Sequence, residues 1–155
     1  GIITTVAGNG QFTFAGDGGP ALNASFNLPM SVAVDAAGNL YVADASNQRI
    51  RKINKATGII TTVAGDGTNT FPSPAKGPAT SISLKSPIGV FMSNKGNLII
   101  VDQADLRIRE LKLISGTLTT LAGNSSLGYG PDCVEATTET LAEMYAAAMD
   151  ATGNL

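Results

Sequence analysis

Asp44 and Arg49 stand five residues apart, and the same pair returns as Asp102 and Arg107. A ring of such carboxylates would bind cations or a charged ligand. The architectural alternative is that the Asp ends a strand and caps the following turn, while the Arg pairs with it or with a neighbouring unit. Recurrence favours architecture, because residues repeated in every unit serve what every unit shares. Asp35 and Asn39 around Gly38, and Asp150 with Gly153, have the look of a calcium loop. An EF-hand needs several more oxygen ligands and a bidentate Glu at its twelfth position, and none is present. Asp and Asn here are expected to bond their own backbone. Gly8-Asn-Gly10 and Gly16-Asp-Gly-Gly19 lack the strand-to-helix setting of a phosphate-cradling loop. The chain has no His, which removes an imidazole base, a Ser-His triad and a His-ligated metal. Arg49, Arg51 and Lys52 cluster, but their counterparts read Arg107, Arg109 and Glu110. With 10 basic against 12 acidic residues and no Trp, a nucleic-acid surface is not expected. No residue is assigned a catalytic or metal-binding role, and no cofactor is expected.

The elements that would carry these residues follow from composition and repetition. At 43% hydrophobic and 14% charged, the 155-residue chain is too apolar and too weakly charged to be disordered. No apolar run reaches the 18 residues that would suggest a membrane span. Gly1-Ile-Ile-Thr-Thr-Val-Ala-Gly8 returns as Gly58-Ile-Ile-Thr-Thr-Val-Ala-Gly65 and as Gly116-Thr-Leu-Thr-Thr-Leu-Ala-Gly123. Asp35-Ala-Ala-Gly-Asn-Leu40 keeps the same period with Ser93-Asn-Lys-Gly-Asn-Leu98 and Asp150-Ala-Thr-Gly-Asn-Leu155. Such self-similarity marks an array in which one repeat is one supersecondary unit. Within a repeat, Ser31–Val34, Leu40–Ala43, Gln48–Ile53 and Ile59–Val63 read as four short antiparallel strands. Four strands per repeat is the blade of a β-propeller.

Pro29 to Ile53, with its Val-Ala-Val-Asp, Gly-Asn-Leu-Tyr-Val-Ala-Asp and Asn-x-Arg-Ile-Arg-Lys-Ile segments, resembles an NHL repeat. The closing Gly-x-Ile-Thr-Thr-Val-Ala-Gly and the Asp17-Gly-Gly-Pro-Ala21 linker resemble one subgroup of that family. The later linkers depart from it, reading Ala75-Lys-Gly-Pro78 and Gly128-Tyr-Gly-Pro131, and Asn47 becomes Asp105. The resemblance implies an all-β propeller of four-stranded antiparallel blades. The chain holds it incompletely, with full blades over 30–64 and 88–122. Residues 1–7 are expected to be the last strand of one blade, and 145–155 the start of another. Tyr145–Met149 reads as strand by register although its propensity is helical. A ring needs roughly four to eight blades, so the remaining blades are expected from the same longer chain; ring closure between copies is the alternative.

Connections over roughly 8–29, 65–87 and 123–144 differ most between repeats, and long loops on a rigid scaffold are where binding concentrates. Phe12, Phe14, Phe71 and Tyr129 are the candidate binding residues there, against the alternative that they pack over gaps between blades. Asn23 and Asn124 head two N-glycosylation sequons, which with the low charge suits a secreted or cell-surface protein. Cys133 has no partner in the chain and is expected to be buried and inert, with pairing to a cysteine outside it as the alternative. The function expected is a non-catalytic scaffold binding protein or glycan partners through its inter-blade loops, without membrane insertion. The alternatives implied by the resemblance are a metal-dependent propeller enzyme of lyase or lactonase type, or a sensor domain of a larger receptor or kinase. Such sites need His or carboxylates at the inner strands, which here offer Val32, Val34, Val90 and Met92 and no His.

Overall fold

The computed structural model describes residues 1–130 and 133–155; Pro131, the end of the third linker motif, lies outside them. Blade one comprises β1 (Pro29–Val34), β2 (Leu40–Asp44), β3 (Arg49–Ile53) and β4 (Ile60–Ala64), hydrogen-bonded in that order and antiparallel throughout. A short strand in the next linker, β5 (Lys76–Pro78), precedes blade two. That blade comprises β6 (Pro87–Met92), β7 (Leu98–Asp102), β8 (Arg107–Lys112) and β9 (Thr117–Ala122). β5 joins it as a fifth strand on the outer edge of β9. The two blades make up part of a propeller, as the repeat requires.

Turn chemistry sets the strand lengths. In the β1–β2 hairpin the Asn39 amide and side chain both donate to Asp35, and Gly38 takes the positive φ that the turn needs. The same backbone closure joins Ser93 to Asn97 and Asp150 to Asn154. At Asp150 the turn forms although no strand flanks it, so the local bonds suffice. Short 3-10 turns, Ala45–Asn47 and Gln103–Asp105, connect the second and third strands of the two blades.

The core lies between the blades. Ala33, Tyr41, Ala43, Ile50 and Ala64 of blade one pack against Val90, Leu98, Ile100, Leu111 and Leu118 of blade two. Three alanines and two large side chains of blade one share this core with five branched aliphatic residues of blade two. A second cluster, Ala21, Ala24, Ile53 and Ile60, seats the first linker on the other face of blade one.

Three expectations are corrected. Residues 1–7 and Tyr145–Met149 form no strands; neither segment has a ladder partner, and strands are defined by pairing. Cys133 is exposed, not buried, because it sits in an irregular connection outside both blades. The linkers contribute sheet edge as well as loop, since Lys76–Pro78 pairs with Thr117–Thr119.

Candidate functional site

The charged residues singled out by spacing meet at one end of each blade, but in a different pairing. Asp44 lies opposite Arg49 in the β2–β3 register, and Arg51 lies opposite Val42. The ion pair nevertheless runs diagonally, from Arg51 Nη1 to Asp44 Oδ2 at 3.2 Å, with both side chains fully buried. Asp44 also accepts the Asn27 amide (2.8 Å) and the Asn47 side chain (2.9 Å). Blade two repeats the arrangement: Arg109 Nε reaches Asp102 Oδ2 at 3.2 Å, and Asp102 accepts the Lys85 amide at 2.6 Å. Arg49 and Arg107 instead donate to linker carbonyls, of Asp66 at 2.9 Å and Ser73 at 2.7 Å. Arg107 adds an ion pair to Asp105 at 3.3 Å. Asp44 and Asp102 end their strands, but their carboxylates accept linker amides and make no cap bond to the following turns, and the arginines that neutralise them stand two residues beyond those the spacing picked out.

Burial pushes the Asp102 carboxyl up to about 7; attraction to Arg109 opposes this, and repulsion from Asp105 adds to it. At Asp35, burial pushes upward, but hydrogen bonds from Asn39 and Tyr41 outweigh it and hold the carboxyl below its ordinary value. The Tyr41 hydroxyl is raised by burial and by donating to Asp35. These groups are committed to turns and to linker attachment. Among the described residues, no group of three His, Cys, Asp or Glu is placed to hold a metal ion.

The loop aromatics divide. Phe14, 39% exposed, stacks under Arg49 with the guanidinium carbon 4.0 Å from the ring centre, and Arg51 lies 4.8 Å away. Phe71, 55% exposed, lies 4.3 Å from the Lys85 ammonium. Phe12 and Tyr129 stand out at 82% and 94% exposed. Phe12 lines an open groove of about 550 Å³ with Ala7, Gln11, Phe26 and Pro29. A second groove of about 540 Å³, lined by Gln103, Leu106, Leu127 and Tyr145, adjoins the turn between β7 and β8. The sequons also differ. Asn23 is exposed at the end of a 3-10 turn, whereas the Asn124 amide donates to the Thr138 carbonyl at 2.7 Å.

Consecutive four-stranded antiparallel blades with repeated buried Asp–Arg pairs define an NHL-type propeller module. The family model described as the Teneurin NHL domain matches residues 2–79, and the chain belongs to that NHL-repeat family. Mouse Teneurin-1 is 55% identical over 42 residues, covering 27% of this chain and 2% of the relative. Human Teneurin-4 is 57% identical over 42 residues, with the same coverage. Protein SUPPRESSOR OF QUENCHING 1, chloroplastic, of Arabidopsis thaliana is 27% identical over 105 residues, or 68% of this chain and 10% of the relative. The chain thus spans a tenth or less of these curated relatives. A solved structure of a protein of unknown function from Bacteroides thetaiotaomicron superposes with a TM-score of 0.57 at 22% identity, over 70% of this chain and 26% of its own. That likeness concerns the fold.

Proposed function

We propose that this chain is part of a non-catalytic recognition propeller that binds a protein or glycan partner through its inter-blade connections, in a secreted or cell-surface protein. Membership of the teneurin NHL family supports a scaffold role at family level. The observation that carries the binding reading is the position of Phe12 and Tyr129, largely bare on connections braced by rigid blades. Exposed aromatics of this kind are enriched among interface anchors. The surface location rests on the teneurin likeness and the exposed Asn23 sequon. The name of the Arabidopsis relative places similar repeats in a chloroplast protein as well.

The remaining blades of the ring are proposed to come from the same longer polypeptide. Val90 of blade two is buried against blade one, while its counterpart Val32 is exposed, as expected where a further blade packs. An intact mass of the native polypeptide far above 15.7 kDa supports this, and a mass near that value overturns it.

The functional test is binding of a tetramerised chain to a glycan array and a panel of purified ectodomains, beside a Phe12→Ser/Tyr129→Ser variant. The reading requires a saturable ligand that the variant loses while keeping its thermal midpoint. Binding unaffected by the variant, or metal-dependent lyase or lactonase turnover by the full-length protein, overturns it.

A further inference from the structure

Each buried arginine meets two carboxylates, and the second comes from a different place in each blade. Around Arg51 it is Asp17 of the linker, 2.7 Å from Nη2, with its side chain 32% exposed. Around Arg109 it is Asp105 of the short turn, fully buried. Blade one has Asn47 where blade two has Asp105, and the second linker has Ala75 where the first has Asp17. The two differences between repeats are therefore one exchange: a carboxylate leaves the linker and reappears in the turn. A guanidinium taken out of water is costly unless its charge is matched, so the exchange keeps both blades balanced.

The consequence falls on the linker segment that covers each blade's outer strand. In blade one the Gly18 amide donates to Ile60 O (2.8 Å), the Ile60 amide to Gly19 O (3.0 Å) and the Ala21 amide to Gly58 O (2.9 Å). In blade two the Ala79 amide donates to Gly116 O (2.9 Å) and the Thr120 amide to Ala75 O (2.8 Å). The Thr62 amide, at the position of Thr120, donates to the Asp17 carboxylate at 2.9 Å and not to linker backbone. The covering segment of blade two is a three-residue strand, β5, whereas that of blade one reduces to an isolated bridge between Pro20 and Ile59. Blade one's cover thus depends on a partly exposed carboxylate link beside its few backbone bonds and the Arg51 bond to Ala15 O, and blade two's on the backbone ladder. Pro74 and Lys76 stand in the second cover where the first has Gly16 and Gly18, and both covers end in Gly-Pro.

We infer that residues 15–20 form a strap that lifts from the edge of β4 as a unit when the Asp17 link breaks, while the equivalent strap on β9 stays closed. Lifting leaves Ala21 and Ala24 in their core cluster and bares the outer edge of β4. An exposed edge is a template for pairing with another extended segment, so the strap controls access to that edge.

Residue-resolved hydrogen exchange on the chain tests this. In the unmodified chain the Gly18, Ile60 and Thr62 amides should exchange faster than the β2–β3 ladder amides, and faster than those of Ala79 and Thr120. Asp17→Asn should accelerate the strap amides about tenfold or more and leave the β2–β3 amides unchanged. Because that variant also leaves Arg51 short of charge, Asp17→Asn/Asn47→Asp is measured beside it. Moving the carboxylate to the turn should restore the thermal midpoint while strap exchange stays fast. Should Asp17→Asn alone fail to fold, the double variant and the unmodified chain still decide. Strap and core amides exchanging together in the unmodified chain, or slow strap exchange returning in the double variant, overturns the inference.

Discussion

Arg51 reaches diagonally across the β2–β3 ladder to Asp44, Nη1 to Oδ2 at 3.2 Å, and leaves the register partner Arg49 to the linker. Diagonal neighbours across a ladder lie within reach of long side chains, and an arginine spans that gap easily. One residue then holds three things together. Arg51 neutralises the buried Asp44 carboxylate, donates to Ser25 O at 3.2 Å, and donates to Ala15 O at 3.1 Å. Arg109 does the same for Asp102 and Pro74 O. In blade one the two arginines of the Arg-Ile-Arg motif divide the work, Arg49 tying down the following linker and Arg51 the preceding one, whereas in blade two Arg107 and Arg109 both hold the preceding linker, at Ser73 O and Pro74 O.

That division predicts unequal costs. Arg51→Met strands Asp44 as a buried, unpaired charge and should lower stability by about 3–5 kcal/mol. Arg49→Met loses one hydrogen bond to a carbonyl and a ring stack, and should cost only about 1 kcal/mol. Urea unfolding of the two variants checks the order. Equal losses would show that the diagonal pair has no special weight.

The blade order was legible because strands, hairpins and the Ile-Thr-Thr-Val-Ala-Gly ending repeat in one register. What could not be read was reach. Asp44 and Arg49 are opposite in register, so spacing alone selects them, whereas the partner actually used depends on side-chain length and on which groups burial leaves unsatisfied. The strap was hidden for a related reason. Asp17-Gly-Gly-Pro has the composition of a linker, and its pairing partner, Ile60, lies some forty residues away. The change from Asn47 to Asp105 makes sense only beside the change from Asp17 to Ala75, and nothing in the sequence joins positions so far apart.

Asp102 gives the pH dependence a direction. Its carboxyl is raised from an ordinary 3.8 to about 7 in the fold, so the folded chain holds this proton more tightly than the unfolded chain does. The stability it contributes is complete below pH 4 and is lost as pH rises through 7. The slope approaches about 1.4 kcal/mol per pH unit for one proton. Asp35, held below 3.8, works in the opposite sense, adding stability above that value and losing it as pH falls further. Urea midpoints taken from pH 5 to 8 should therefore decline. Asp105→Asn removes the repulsion and should flatten the decline; to keep Arg109 matched it is best made with Ala75→Asp.

Gly65 and Gly123 end the fourth strand of each blade where the chain passes the turn between the second and third. A Cβ at Gly65 would lie 2.1 Å from Gln48 O, and one at Gly123 would lie 2.0 Å from Leu106 O. Gly65→Ala should cost about 2–4 kcal/mol through clash and positive-φ strain together. Gly58 also has positive φ but has open space around it, so Gly58→Ala should cost only about 1 kcal/mol. Thermal midpoints of the pair check this. The difference should amount to several degrees, at about 2–4 °C per kcal/mol for a domain of this size.

The last prediction separates aromatics that hold the fold from those free to bind. Phe14 sandwiches the Arg49 guanidinium against the linker and sits near Arg51, so its truncation removes both apolar contact and cation–π attraction. Phe14→Ala should lower stability by about 1–2 kcal/mol and quicken exchange along residues 13–17. Phe12, two residues away on the same connection, keeps most of its ring in water, and Phe12→Ala should leave the urea midpoint within about 0.5 kcal/mol of the parent. If Phe12→Ala proved the more destabilising, Phe12 would belong to the packing of the linker, and the binding face would have to be sought around Tyr129.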